Sequence, residues 1–383
     1  MTGQQFSVLA LPLLAAVSLK AGPLQMGLLV ACETAPFLLF SLPAGVLVDR
    51  SPRRPLMVSM NLLRALTLVP VSALLGSLRL ELLYTVAFLI GSFSAFFNVA
   101  YQSVLPDLVP PAALNDANSK LETSRTGAGV LGPGLAGTVI GLIGSAAALW
   151  INAGTFLVSA LLIGRLPLSE RPALVGKPTP MLGQMREGLA FVWSHPVIRP
   201  LMLCAATLNA AQGLLDAVLV LYLSRSLNLT PALIGLVFVG SNVGSVLGAL
   251  LSGRIATHLG TGRATVLAAL LAGAGMLLVP LAGVAGTITL PLLMLARFLY
   301  GFGNLMFFVQ HITLRQLQTP PALQGRMHAS VRFLAGGVFP LSALLGGALA
   351  QHFGIPAVLL LAGLTGITAW LWVRRSGLRG WRR

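Results

Sequence analysis

Apolar runs of about 20 residues recur along the whole chain, each stopped by glycine, proline or a cluster of charge, and they are continuous rather than alternating. Continuous runs of that length read as helices. They fall near residues 3–18, 24–48, 55–77, 82–104, 122–142 and 146–164 and, after a polar stretch, near 200–223, 231–252, 264–284, 288–312, 328–350 and 356–373. At a rise of about 1.5 Å per residue, such a helix covers the roughly 30 Å of bilayer hydrocarbon. The first run, from Gln4 to Ser18, is shorter than that. It lacks a positive leader, so it reads as a first helix whose lead-in is missing rather than as a cleaved signal. The organisation expected is a bundle of six helices over 1–165, a linker over 166–198 with a short amphipathic helix near Met185 to Val192, a second bundle over 199–374, and a basic tail over 375–383.

Composition agrees with lipid as the solvent. The 383 residues are 56% hydrophobic and 9% charged, with a mean hydropathy of +0.88, too little charge to cover a water-soluble surface. A net charge of +16 raises the question of nucleic acid. The basic residues answer it by their distribution, since they are scattered through short loops and the tail, which is a topology signal. Alternate loops place Arg50, Arg53, Arg54, Lys120, Arg165, Arg171, Lys177, Arg186, Arg199, Arg254, Arg263, Arg315, Arg326 and the tail arginines on one side. Lys20, Arg79 and Arg225 remain on the other. The positive-inside rule then puts both termini in the cytoplasm and requires an even number of crossings, which twelve satisfies.

The halves echo each other. Arg125 stands eight residues before Pro133 and Arg332 eight before Pro340, the two arginines being 207 residues apart. Gly45 and Gly248 each end an even-numbered helix, and Pro-Pro-Ala stretches begin at Pro110 and Pro320. Two repeated six-helix bundles, with a cavity between them, is a transporter plan.

Between the second and third helices stands Gly45-Val-Leu-Val-Asp49-Arg50-Ser-Pro-Arg53-Arg54, which resembles the signature loop of the major facilitator superfamily, G-x-x-x-D-R-x-x-R-R. Gly45 permits close helix contact, and Asp49 at a helix end can engage arginines and the positive end of a neighbouring helix as a latch on the gate. The arginines alone could equally be topology signals. The fifth helix carries Gly127, Gly129, Gly132-Pro133-Gly134 and Gly137, which resembles the fifth-helix motif of proton-coupled exporters in that superfamily. The run from Gln102 to Pro111, and Gly325-Arg326 with Arg332-Phe333, resemble the branch that holds enterobactin exporters and macrolide efflux pumps. Gln4 stands where such relatives often have an acid. The resemblance implies an all-α polytopic protein of the major facilitator fold, in the inner membrane, exporting a small molecule in exchange for protons, as a monomer.

Ionisable residues inside spanning helices are costly and each asks for a function. Glu33, Arg64, Asp216 and Arg297 are such residues. Glu33 and Arg297 lie roughly 14 Å from the outer helix ends and Asp216 roughly 10 Å, so they could share one layer. Glu33, beside Pro36, is the first choice for a proton-coupling carboxylate, and a structural pair with Arg64 is the alternative. Asp216 and Arg297 read either as a mutual ion pair or as substrate ligands, with Gln212 one turn and Asn209 two turns before Asp216 on a similar face. Arg125 pairs locally with Glu122, whereas Arg332 has no acid nearby in sequence.

No phosphate-binding G-x-x-x-x-G-K-[ST] loop is present, the five histidines are too dispersed for a metal, and no clustered catalytic set suggests an enzyme. No cofactor is expected. Cys32 and Cys204, in separate helices, read as apolar filling. The expected partners are the lipid bilayer, a small-molecule substrate and protons, and not nucleic acid. An uptake carrier for a metabolite and a lipid translocator share the same sequence features and stand as alternatives.

Overall fold

The computed structural model describes residues 2–73, 79–108, 114–165, 181–320 and 323–375. Among these, the side chains of Gly45, Asp49, Arg50, Glu122 and Arg125 lie outside the described set, as does the Pro-Pro-Ala stretch at Pro110.

The chain is helical throughout the described residues. α1 (Thr2–Leu13) runs into a π turn (Leu14–Ser18) and is followed by α2 (Pro23–Arg50), α3 (Arg53–Ala73) and α4 (Leu80–Leu108). α5 (Leu114–Gly164) is two helices joined at Gly144. α6 (Met181–Ser194) precedes α7 (Ile198–Leu221), which ends in a second π turn (Tyr222–Ser226). Then come α8 (Pro231–Leu259), α9 (Thr261–Leu281) and α10 (Thr289–Gln318). α11 (Gln324–Val331) meets α12 (Gly337–Phe353) through a third π turn (Arg332–Gly336), and α13 (Ile355–Thr368) and α14 (Trp370–Arg375) close the chain.

Among the described residues ten helical spans are long and apolar enough to cross a membrane. The other two crossings expected from sequence correspond to α1, which is short, and α3, whose Arg53, Arg54 and Arg64 dilute its apolar character. Several helices outrun the apolar stretches, α8 to Leu259 and α10 to Gln318. Polarity marks where hydrocarbon ends, whereas backbone hydrogen bonding carries a helix on into water.

The chain divides into two compact units, Met1–Lys177 with Leu229–Leu236, and Pro178–Asn228 with Val237–Arg383. In the first, α2 packs on α4, α3 on α4 and α5, and α1 on α5. In the second, α9 packs on α10 and α13, and α7 on α12, while glycines bring α8 against α10: a Cβ at Gly301 would strike the Ser241 carbonyl, and one at Gly244 the Phe298 carbonyl. Small residues and interhelical hydrogen bonds are what hold helices together where lipid removes the hydrophobic drive. The polarity follows: Asn61, Arg64, Ser94 and Asn152 are buried, and Leu142, Leu161 and Phe353 are exposed. α6 packs on α11 within the second unit, with Gly188 against the Arg326 carbonyl and Glu187 paired to Arg326.

The internal repeat is written in the backbone. Both π turns that end α1 and α7 close with a 3.1 Å or 3.0 Å bond, Leu19 to Leu14 and Leu227 to Tyr222. Each is followed by a left-handed residue, Lys20 and Asn228, both at φ 50° and 208 residues apart. Each next helix starts on proline, Pro23 and Pro231, whose fixed φ suits a first turn. Gly144 (φ 83°) and Gly354 (φ 84°) occupy matching corners between the last two helices of each half.

At ψ 161° Gly354 lies in a region open only to glycine. Gly354→Ala is therefore expected to cost about 1 to 3 kcal/mol and to lower the melting midpoint of the detergent-solubilised protein. Gly154→Ala, in a helix interior with no atom within 4 Å of the added methyl, leaves the midpoint unchanged or raised.

Candidate functional site

In the first unit Arg64 is held by neutral acceptors and aromatic rings. Arg64, 3% exposed, donates from Nη1 to Asn61 Oδ1 at 3.2 Å and from Nη2 to the Phe93 carbonyl at 3.1 Å. Its guanidinium lies 4.5 Å from the Phe97 ring centroid and 5.4 Å from that of Phe156. Asn61 in turn donates to Ser159 Oγ at 3.0 Å. Arg64 thus ties α3 to α4 and α5 through neutral acceptors and aromatic faces, while its Nε has no hydrogen-bond partner.

Glu33 stands half-buried in α2, three residues before Pro36. The proline withholds the N–H that would bond the Cys32 carbonyl, so the backbone is loosened beside the carboxylate. α4 crosses there at its closest, since a Cβ on Gly91 would strike the Glu33 carbonyl and meet Pro36 Cγ at 3.1 Å. The carboxylate is thereby carried on a rigid crossing whose own helix is weakened at one turn.

The second unit brings three of the singled-out residues together on α7 and α10. Gln212 Nε2 donates to both carboxylate oxygens of Asp216, each at 2.8 Å. The spacing of four residues puts them on one face of α7. Arg297 on α10 is close enough to Asp216 to interact electrostatically, yet among the described residues the two make no direct ion pair. Arg297 is 4% exposed, lies 4.9 Å from the Tyr300 ring centroid and 5.6 Å from that of Phe238, and leaves Nε and Nη1 without a hydrogen-bond partner. Gln212 Oε1 is likewise unmet. A buried guanidinium with free donors, beside a buried amide with a free acceptor, is a pair of groups awaiting a polar ligand. Asn209 faces elsewhere, donating to the Ala335 carbonyl at 2.8 Å and so holding α7 to the third π turn.

Of the gating loop, α2 ends at Arg50 and α3 begins at Arg53, with Ser51 extended between them. The proposed latch of Gly45, Asp49 and Arg50 lies outside the described side chains, as does Arg125, while Arg53 and Arg54 are half-buried at the start of α3. In the fifth-helix motif, Gly132, Pro133 and Gly137 are buried. A Cβ on Gly137 would strike the Pro231 carbonyl and meet Gly235 Cα at 3.0 Å. The glycines serve close approach, as small residues in membrane helices do.

Sequence reading missed the partners of both arginines. Asn61, three residues before Arg64, carried a helical-spacing signal; Phe93, Phe156 and Phe238 carried none, being brought in by packing between helices.

A sequence profile of the Major Facilitator Superfamily matches residues 1–222 and again 201–381. The chain belongs to the Major Facilitator Superfamily. Membership makes it a multi-pass membrane transporter. The multidrug efflux pump Tap of Mycolicibacterium fortuitum is 29% identical over 374 residues, covering 94% of this chain and 89% of the pump. The enterobactin exporter EntS of Citrobacter koseri is 29% identical over 338 residues, covering 84% and 76%. The fold is that of a bacterial homologue of the iron transporter ferroportin in its inward-facing state (TM-score 0.75, 18% identity, 98% and 96% covered) and of the nucleoside transporter NupG (TM-score 0.80, 13% identity, 98% and 100% covered). At such identity these likenesses show the fold alone.

Proposed function

We propose that this transporter is a proton-coupled exporter of small amphipathic organic molecules, working by alternating access in the inner membrane with both termini in the cytoplasm, as a monomer. The observation that carries the coupling is Glu33. It stands half-buried in α2 at the crossing with α4, against Gly91 and three residues before the helix-loosening Pro36. A carboxyl at membrane depth is costly to keep ionised, and it can exchange a proton as its surroundings alternate between wet and dry. The free donors of Arg297 and the Asp216–Gln212 pair supply the polar contacts of the cargo, with Tyr300 and Phe238 beside them. Likeness to Tap and EntS over most of the chain supports the outward direction.

Cells expressing the chain should accumulate less of a fluorescent amphiphile such as ethidium than cells with an empty vector, and a protonophore should remove the difference. Equal or greater accumulation in the expressing cells, across a panel of amphiphiles, would contradict export.

A further inference from the structure

We propose that the second unit carries a separate pocket for an organic anion, a carboxylate or phosphate borne on an apolar or aromatic body, held by Arg315, Arg332, His311 and His328. A cavity of about 350 Å³ opens among α7, α10, α11 and the third π turn, the size of a small-molecule site. Phe307 contributes to its apolar wall and Asn209 to its polar one. The two arginines and two histidines all line it, and among the described residues that line it there is no aspartate or glutamate.

Arg315 and His311 are built in, and Arg332 stands exposed at the edge. Arg315 is 5% exposed and its Nε donates to the His311 carbonyl at 3.3 Å. It lies near enough to Arg332 and His328 for their charges to interact. His311, 4% exposed, stacks on Phe307 with centroids 5.3 Å apart and leaves both ring nitrogens without a partner. A buried cation near two others and an unsatisfied imidazole are costly unless something supplies negative charge and acceptors, and among the described lining residues no carboxylate does. An anion would answer both needs through charge-assisted bonds. The backbone is shaped to the purpose: Arg332 opens the π turn, and Asn209 holds the Ala335 carbonyl. π turns inside helices recur at functional sites.

The pocket is distinct from the Arg297 site, since His311 lies 14 residues further along α10, about 21 Å of helix. In naming a class of cargo the proposal rests on the transport reading above, and binding is measured apart from transport so that the two can fail separately. The anionic group could belong to a free organic anion or to a lipid headgroup.

The test is equilibrium binding to the purified full chain in neutral detergent. Naphthoate and naphthyl phosphate are expected to bind, and naphthylmethanol and naphthylmethylammonium are not. Arg315→Gln and, at an exposed position that leaves packing untouched, Arg332→Gln each weaken binding roughly tenfold or more. Displacement of naphthyl phosphate by dioctanoyl phosphatidylglycerol but not by dioctanoyl phosphatidylcholine assigns the pocket to a lipid headgroup; failure of both lipids to displace it assigns a free anion. Naphthylmethanol binding as tightly as naphthoate, or Arg332→Gln binding both anions as the native chain does, overturns the proposal. Selective anion binding without export in the cell assay would leave the pocket standing and remove the export reading, and the converse pattern would do the reverse.

Discussion

Glu33→Gln abolishes uphill, gradient-driven transport in proteoliposomes while leaving exchange of cargo for cargo across the same membrane intact. Glutamine copies the shape and polarity of a protonated carboxyl and never releases a proton. A transporter frozen in that form still alternates with cargo bound, so exchange proceeds, but it has no ion to return on and accumulates nothing. The position of Glu33 supports this division: it stands at the α2–α4 crossing against Gly91, one turn from the proline that loosens its helix. Were Glu33 a structural residue, the substitution would lower both activities together, or neither. Arg64→Gln serves as the contrast. That side chain ties three helices through Asn61, Phe93, Phe97 and Phe156, so its loss reduces stability, and with it exchange and uphill transport alike.

Arg297→Gln raises the cargo dissociation constant with little loss of stability. Bonds to a charged donor contribute about 1.5 to 3 kcal/mol, a rise of roughly 10- to 150-fold. Stability should hold because among the described residues the guanidinium makes no ion pair and two of its nitrogens have no hydrogen-bond partner. If Arg297 and Asp216 instead formed a mutual lock, removing one partner would leave a bare buried charge and cost about 3 to 5 kcal/mol of stability. Cargo affinity and melting midpoint, measured on Arg297→Gln, Asp216→Asn and the double variant, separate the two accounts. Binding losses with a flat midpoint fit a ligand site; a fallen midpoint in each single variant, restored in the double, fits a lock.

The fold was legible because lipid imposes so few solutions. Runs of apolar residues could only be helices, and the alternation of arginine-bearing loops fixed their count at an even number. The offset between Arg125-Pro133 and Arg332-Pro340 foretold a repeat that the backbone repeats in finer detail, with π turns, left-handed residues and starting prolines 208 residues apart. The π turns themselves left no sequence mark, since one extra residue per turn does not disturb an all-round apolar pattern. α3 and α1 sit at the margin for opposite reasons, one too charged and one too short.

The candidate site was legible as a set of residues and not as a set of contacts. Glu33, Arg64, Asp216 and Arg297 stood out because charge in hydrocarbon is expensive. Which charge meets which depends on helix rotation, and rotation is decided by where glycines let backbones touch, as at Gly91, Gly244 and Gly301. Gln212 and Asp216, sharing one helix, were readable from spacing. Asn209, on a similar face, took a different partner because the third π turn presents the Ala335 carbonyl to it.

The most direct measurement of the central claim is the lumen pH of liposomes that hold the purified native chain and a trapped pH-sensitive dye, followed as an amphipathic cargo is added on one side. Proton-coupled exchange predicts a pH change opposed to the cargo's movement, proportional to the cargo moved and absent when Glu33 is glutamine. Cargo crossing with no change in lumen pH would contradict the account.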